Sequence, residues 1–125
     1  MYEVGTGTTV RAMHVMPGME GPEGELHSHD YRIEVAVWRG ELDDRGMVCD
    51  LDVLDAAVEE VAGRVRNADL ETIRPPGVEA VTVEVFARWL HGALADAARV
   101  AGGEGLSVKV WESPVAFGAF SDRLA

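Results

Sequence analysis

Three histidines carry the clearest chemical signal in this sequence. His27 and His29 are separated by one residue within a run typical of a strand, so their side chains project from the same face. His14 lies in an earlier β-rich run, and pairing of the two runs as a hairpin brings it beside the other two imidazoles. Three protein ligands and one open position are typical of catalytic zinc. We therefore predict a zinc site formed by His14, His27 and His29.

An acidic loop leads directly into the histidine pair. Residues 17–25 contain three glycines, two prolines and three glutamates, a composition that predicts an irregular connection. The loop is either a solvated turn, or it holds one carboxylate over the metal as an acid or base. Spacing alone does not distinguish Glu20, Glu23 and Glu25.

The remaining elements follow from periodicity and from helix-terminal residues. Residues 1–7 read as a loose lead-in, about 8–16 as the first strand, and the second strand follows the histidine pair as far as Trp38. Asp50 or Asp52 begins one helix and Thr82 a second, which Gly102 ends. Residues 106–112 alternate as a third strand, and 115–120 return as a short fourth. The apolar stripes predicted for the two helices are Leu54, Val58, Val61 and Val65, then Phe86, Leu90, Ala93 and Ala97.

Length and charge limit the possible functions. A chain of 125 residues predicts one domain, 1–125, with a core small enough to favour oligomerisation. The formal net charge is -11, and the single lysine and ten arginines are scattered, which argues against a nucleic-acid surface. There is no leader pattern and no apolar run of membrane-spanning length, so we expect a cytoplasmic protein without membrane contact.

Three further residues have reactive or polar side chains in apolar settings. Cys49 lies between apolar neighbours and is expected to be an inert buried thiol. His91 lies within the second helix and is expected to be a polar or partly buried residue there. Glu112 continues the apolar face of the third strand, so it either lies at the open end of that strand or binds a cationic or donor-rich group.

The element order and these residues resemble the 6-pyruvoyltetrahydropterin synthase and 6-carboxytetrahydropterin synthase family over nearly the whole chain. His14 and the segment 27–31 match its zinc ligands, with Ser28 in place of a glycine. Residues 82–84 match its Thr-x-Glu start of the second helix, and 110–113 match the strand that bears its pterin-binding glutamate.

The resemblance implies an α+β tunnelling fold (T-fold) of order β-β-α-α-β-β. In this fold a four-stranded antiparallel sheet carries two helices on one face, three copies close into a barrel, and two barrels stack as a hexamer. It further implies zinc at the three histidines and a pterin bound between subunits. Glu112 would hold the amino and ring N–H groups of the pterin, and Thr82 would help to hold the ring.

Two departures from the family pattern concern the catalytic residues. Counting back from His27, the position of the family's catalytic cysteine is Glu23, and residues 65–71 lack the histidine of its Asp-His couple. Asp69 or Glu71 is left to replace that couple. A glutamate at the cysteine position resembles the subgroup that cleaves 7,8-dihydroneopterin triphosphate to 6-hydroxymethyl-7,8-dihydropterin. We therefore predict a zinc-dependent pterin lyase that performs a retro-aldol cleavage with Glu23 and Asp69 as catalytic residues.

Two alternatives belong to other classes of protein. A non-catalytic zinc-containing pterin or purine binder would also lack the cysteine and the couple while keeping the histidines, Thr82 and Glu112. A cupin-type metal barrel is suggested by the spacing of Gly21, His27, His29, Glu34 and Gly40. The cupin hypothesis is weaker, because Glu34 lies on the opposite strand face from the histidines and a cupin needs strands where two helices are predicted.

Overall fold

Two layers make up the fold, an antiparallel four-stranded sheet and two α-helices packed on one of its faces. The computed structural model describes residues 1–125. Its strands follow each other across the sheet in chain order, with both helices between the second and third strands. The elements are β1 (Tyr2–His14), β2 (His27–Arg39), α1 (Leu51–Val65), α2 (Val83–Ala101), β3 (Gly105–Trp111) and β4 (Phe117–Arg123). The predicted order β-β-α-α-β-β is confirmed.

The lead-in predicted for residues 1–7 is wrong, because β1 begins at Tyr2. β1 pairs with β2 without interruption from Tyr2 opposite Arg39 to His14 opposite His27. Gly5 fits this ladder because the neighbouring strand runs very close to it. A Cβ atom at Gly5 would lie 2.7 Å from the carbonyl oxygen of Val35. Gly5 therefore marks close packing of two strands, not a break in β1.

The core lies between the sheet and the helices, and each strand contributes alternate residues to it. The predicted α1 stripe is buried in full. In α2 the predicted stripe is displaced by one residue in its second half, where Leu94 and Ala98 are buried and Ala93 and Ala97 are half-buried. The inward-facing strand residues are Val10, Ala12, Tyr31, Ile33, Val35, Val37, Leu106, Val108 and Val110.

Helix ends occur where polar side chains or glycine satisfy free backbone groups. The Asp50 carboxylate accepts hydrogen bonds from the N–H groups of Asp52 and Val53 at the start of α1. The Thr82 hydroxyl accepts one from Val85 at the start of α2. Gly102 adopts a left-handed conformation, φ 114°, that ends α2. These three signals are read correctly from the sequence. Neither helix combines the length and apolarity that crossing a membrane would require.

The β1–β2 hairpin extends past the rest of the sheet at one end. β3 pairs with β2 only over 32–38, so residues 27–31 of β2 have β1 as their sole strand partner. On the other sheet face, Glu34 is exposed and points away from the helices. Because Glu34 lies on the opposite sheet face from the histidines and two helices stand where a cupin needs strands, the cupin hypothesis is excluded. The overhanging end of the hairpin carries all three predicted metal ligands.

Candidate metal centre

Four side chains converge at the overhanging end of the hairpin. One ligand atom from each of His14, Glu23, His27 and His29 lies within 4.8 Å of the other three. His27 Nε2 is 3.1 Å from His29 Nε2 and 3.4 Å from Glu23 Oε2. The cluster follows directly from the strand register, because His14 stands opposite His27 and the two-residue spacing keeps His29 on the same face. We call these four residues the metal cluster.

Backbone carbonyls fix the protonation of two of these rings. The Nδ1–H of His14 donates to the Val81 carbonyl at 3.3 Å, and the Nδ1–H of His27 donates to the Glu25 carbonyl at 2.8 Å. A carbonyl can only accept, so both Nδ1 atoms carry a proton, and in the neutral ring this leaves the lone pair on Nε2. Metal-binding histidines are commonly oriented by such bonds from the second ring nitrogen.

The buried Nε2 atom of His14 is the strongest structural sign of a missing partner. His14 is 5% exposed, and its Nε2 has no hydrogen-bond partner in the protein. Burial lowers the pKa of His14, and the neighbouring His27 lowers it further, so the ring is held in the neutral form that binds metals. Three imidazoles and a carboxylate are a donor set that zinc accepts. The residues present therefore fit the zinc that was predicted.

The loop that carries Glu23 is a well-defined turn. Residues Gly21–Gly24 form a single 3₁₀ turn with Pro22 near its start, and the Met16 N–H donates to the Glu23 carbonyl at 2.9 Å. Gly21 has φ +73°, and a Cβ atom at Gly24 would lie 2.0 Å from the Met19 carbonyl oxygen, so both positions require glycine. The turn singles out Glu23 among the three candidate glutamates.

The other two glutamates of the loop stay outside the metal cluster. Glu20 and Glu25 are exposed, and neither contributes a ligand atom. Glu25 acts through its backbone, since its carbonyl oxygen orients His27. Sequence spacing could not separate these three carboxylates, whereas the turn geometry does.

The second predicted catalytic residue, Asp69, lies close to the hairpin but its carboxylate has another partner. Its backbone forms an isolated bridge with Met13, next to His14. Its side chain accepts a hydrogen bond from the Glu71 N–H at 3.0 Å and caps the 3₁₀ turn Leu70–Ile73. The carboxylate is not part of the metal cluster. A catalytic role of Asp69 stays a prediction.

The predicted pterin-binding residues lie near the metal cluster on two further elements. Thr82 directly follows Val81, whose carbonyl holds His14. Glu112 follows the end of β3, and its negative charge acts on both His14 and Tyr31. Glu112 and His29 also border an open cavity of about 750 Å³, whose other lining residues, such as Arg32 and Glu34, lie on the sheet face that points away from the helices. The placement agrees with a binding role that stays a prediction.

Two aromatic residues near the site were not expected from the sequence. Tyr31 is a core residue, but its ring lies 5.6 Å from that of His29, and burial, Glu112 and Glu23 together raise its pKa so that the phenol stays protonated. Trp111 directly precedes Glu112 but stands opposite Arg32 on the outer face of the sheet, and its indole N–H is buried without a hydrogen-bond partner. The position of each aromatic residue, two residues after His29 and one before Glu112, is the signal that could have identified them.

The two remaining reactive side chains are structural. Cys49 is buried as expected, and burial, followed by the charge of Asp50, raises the pKa of its thiol, as in an unreactive cysteine. His91 is only 5% exposed, more buried than expected, and its Nε2–H donates to the Leu106 carbonyl at 3.1 Å. It therefore ties α2 to β3.

The sheet, the helices on one face and the three-histidine centre together define a T-fold protein with a candidate metal centre. The family model described as 6-pyruvoyl tetrahydropterin synthase matches residues 3–122. The chain therefore belongs to the 6-pyruvoyl tetrahydropterin synthase family. No curated protein sequence gives a significant match.

Solved structures of this family share the fold at low sequence identity. A Plasmodium vivax 6-pyruvoyltetrahydropterin synthase, described as a catalytic-residue mutant, is 14% identical with a TM-score of 0.74, and 98% of each chain is covered. The Plasmodium falciparum enzyme gives the same identity, TM-score and coverage. The Caenorhabditis elegans enzyme is 19% identical with a TM-score of 0.64, covering 99% of this chain and 96% of that one. These similarities confirm the T-fold.

Proposed function

We propose that this protein is a zinc-dependent lyase that cleaves the side chain of a dihydropterin, with 7,8-dihydroneopterin triphosphate as the first substrate to test. The observation that carries the proposal is the convergence of the Glu23 carboxylate with His14, His27 and His29. Family membership supports a lyase acting on pterins. In the Plasmodium vivax relative the catalytic residue that was replaced by alanine is a glutamate, which supports a carboxylate in the catalytic role here.

The three histidines would hold zinc through their Nε2 atoms, and Glu23 would move the proton. Bound zinc supplies a positive charge that lowers the pKa of a nearby side-chain hydroxyl of the substrate. Glu23 removes the proton of the hydroxyl group on the second side-chain carbon. The bond between the first and second side-chain carbons then breaks, and the second carbon leaves as an aldehyde. The electron pair passes into the ring, and a proton added at the first carbon gives 6-hydroxymethyl-7,8-dihydropterin.

Substrate orientation is assigned to residues outside the metal cluster. The Glu112 carboxylate would accept two parallel hydrogen bonds from the amino and ring N–H groups of the pterin. Thr82 would contact the ring from the start of α2, although its hydroxyl also accepts the helix-capping bond from Val85.

We further propose that the chain assembles as a hexamer of two stacked three-chain barrels. Two edges of the sheet, β1 and β4, have one strand partner each, and exposed edges favour pairing with further chains. Closure of three sheets would remove these edges. Sedimentation of the purified protein tests this directly, and a monomer at micromolar concentration would contradict it.

The function is tested by incubating zinc-loaded protein with 7,8-dihydroneopterin triphosphate and identifying products by mass spectrometry. We expect 6-hydroxymethyl-7,8-dihydropterin from the wild type and a loss of at least about 100-fold in rate for Glu23→Gln, the typical worth of a positioned acid or base. The matched control is Glu20→Gln, at an exposed glutamate of the same loop, and this variant should keep its activity.

Zinc dependence has its own variant. His27→Ala removes one of three nitrogen ligands, so the purified variant should lack stoichiometric zinc by elemental analysis. One retained zinc per chain would contradict the three-histidine site. Tight pterin binding by the wild type without any product would contradict the lyase and favour the non-catalytic binder.

A further inference from the structure

We propose that Glu23 is a fourth metal ligand in the resting protein and that an incoming substrate displaces it. The site would then be closed until substrate binds, unlike a catalytic centre with a permanently open position. The ligand role concerns the resting protein only, whereas displacement rests on the proposed function.

The separations between ligand atoms support a four-coordinate shell. Zinc binds histidine nitrogen at about 2.0–2.1 Å and carboxylate oxygen at about 2.0–2.2 Å, so neighbouring ligands of a tetrahedral ion lie roughly 3.3–3.5 Å apart. His27 Nε2 lies 3.1 Å from His29 Nε2 and 3.4 Å from Glu23 Oε2. All remaining separations are at most 4.8 Å, so modest side-chain movement completes the shell. The Glu23 oxygen therefore lies at a ligand–ligand distance from His27 Nε2.

The anchoring of the loop explains how the carboxylate can be both placed and released. The Glu23 backbone is held by the bond from Met16 and by a turn that requires glycine at two positions. The Glu23 side chain remains 54% exposed, whereas that of His27 is 17% exposed. Glu23 can therefore leave by rotation of its own side chain, without movement of the turn, into space that solvent already fills.

Displacement of Glu23 would make substrate binding come before proton removal. With Glu23 as a ligand, one of its oxygens would be unable to take a proton, and the fourth position would be closed to water. A substrate oxygen that took the place of Glu23 would leave the free carboxylate beside it. Proton removal by Glu23 would then follow substrate binding, so the same residue both closes the site and serves as the base.

The test uses the substrate-free protein loaded with a metal. X-ray absorption of the zinc-loaded wild type should show one oxygen ligand and three nitrogen ligands, and a crystal structure should place a Glu23 oxygen at about 2.0–2.2 Å. In Glu23→Ala, zinc affinity measured against a competing chelator should fall at least about tenfold, since even outer-shell changes cost that much. The visible spectrum of the cobalt(II) form should also change. Glu20→Ala, at an exposed glutamate of the same loop, is the matched control and should alter neither.

The outcomes separate the ligand role from the lyase activity. Unchanged zinc affinity and an unchanged cobalt spectrum in a folded Glu23→Ala protein would overturn the inference, as would a crystal structure with Glu23 away from the zinc. The wild-type measurements decide the question if the variant does not fold. A bound carboxylate without product formation would remove the lyase and keep the ligand role. Product formation with a water molecule in the fourth position would remove the ligand role of Glu23 and keep the lyase activity.

Discussion

The packing of α2 against β4 makes a prediction whose size can be worked out from the structure. A Cβ atom added at Gly118 would lie 2.8 Å from the Glu84 backbone nitrogen, 2.8 Å from Val83 Cγ2 and 3.0 Å from the Val83 carbonyl carbon. Favourable contacts are about 3.5–4.0 Å, so the first turn of α2 must move by roughly 0.5–1 Å. Two of these atoms are backbone, so side-chain rotation cannot relieve the clash. Gly118→Ala should therefore cost about 1–3 kcal/mol in the free energy of unfolding.

The same movement should reach the metal cluster. The first turn of α2 directly follows Val81, whose carbonyl accepts the hydrogen bond that orients His14. A shifted carbonyl orients the imidazole less well. Zinc affinity of Gly118→Ala should therefore fall by about tenfold or more, the usual cost of a lost outer-shell bond.

The assay is urea unfolding followed by tryptophan fluorescence at fixed zinc and protein concentration. Gly92→Ala is the matched control, because Gly92 lies inside α2 with no atom within 4 Å of an added Cβ. Alanine is a better helix former than glycine, so this control should gain about 0.5–1 kcal/mol. Stability of Gly118→Ala equal to the wild type, or a loss in Gly92→Ala, would refute the packing analysis.

Three further predictions concern pH, helix capping and metal removal. Burial lowers the pKa of His91 in the folded protein. The neutral ring therefore adds stability above about pH 6.5, and this stability is lost as pH falls through the folded pKa. The loss of unfolding free energy between about pH 7.5 and pH 5 should be smaller in His91→Gln than in the wild type. Asp50→Ala removes two capping bonds and should cost about 1 kcal/mol in urea unfolding, with zinc stoichiometry unchanged. Zinc at about 100 times its dissociation constant should add about 2.7 kcal/mol to stability in thermal melts, and His14→Ala should abolish this gain.

The histidine hairpin could be predicted because its information is local. Alternation in β2 is unbroken from Tyr31 to Val37, which fixes the face on which His27 and His29 lie. The start of β1 could not be predicted, since Gly5 and Gly7 resemble a break when read alone. Their role depends on how closely β2 approaches, and that distance is a property of the paired strands.

The choice of catalytic carboxylate depends on contacts that local sequence does not reveal. Glu23 reaches the metal cluster because its turn is tied to Met16 and contains a glycine with positive φ. Asp69 was predicted as a partner from its position along the chain, yet it makes the short-range capping bond that aspartate favours, to the N–H two residues later. Local backbone bonds determine where each carboxylate lies, whereas the catalytic role of each stays a prediction.

The bond between His14 and Val81 spans 67 positions in sequence and joins β1 to the segment that leads into α2. It turns His14 so that its Nε2 is buried without a partner, an arrangement that costs about 1–3 kcal/mol when no ligand is present. Bound zinc would satisfy this atom, so metal binding and the packing of α2 on the sheet stabilise each other. This coupling explains why a glycine on β4, remote in sequence from every metal ligand, is expected to change zinc affinity.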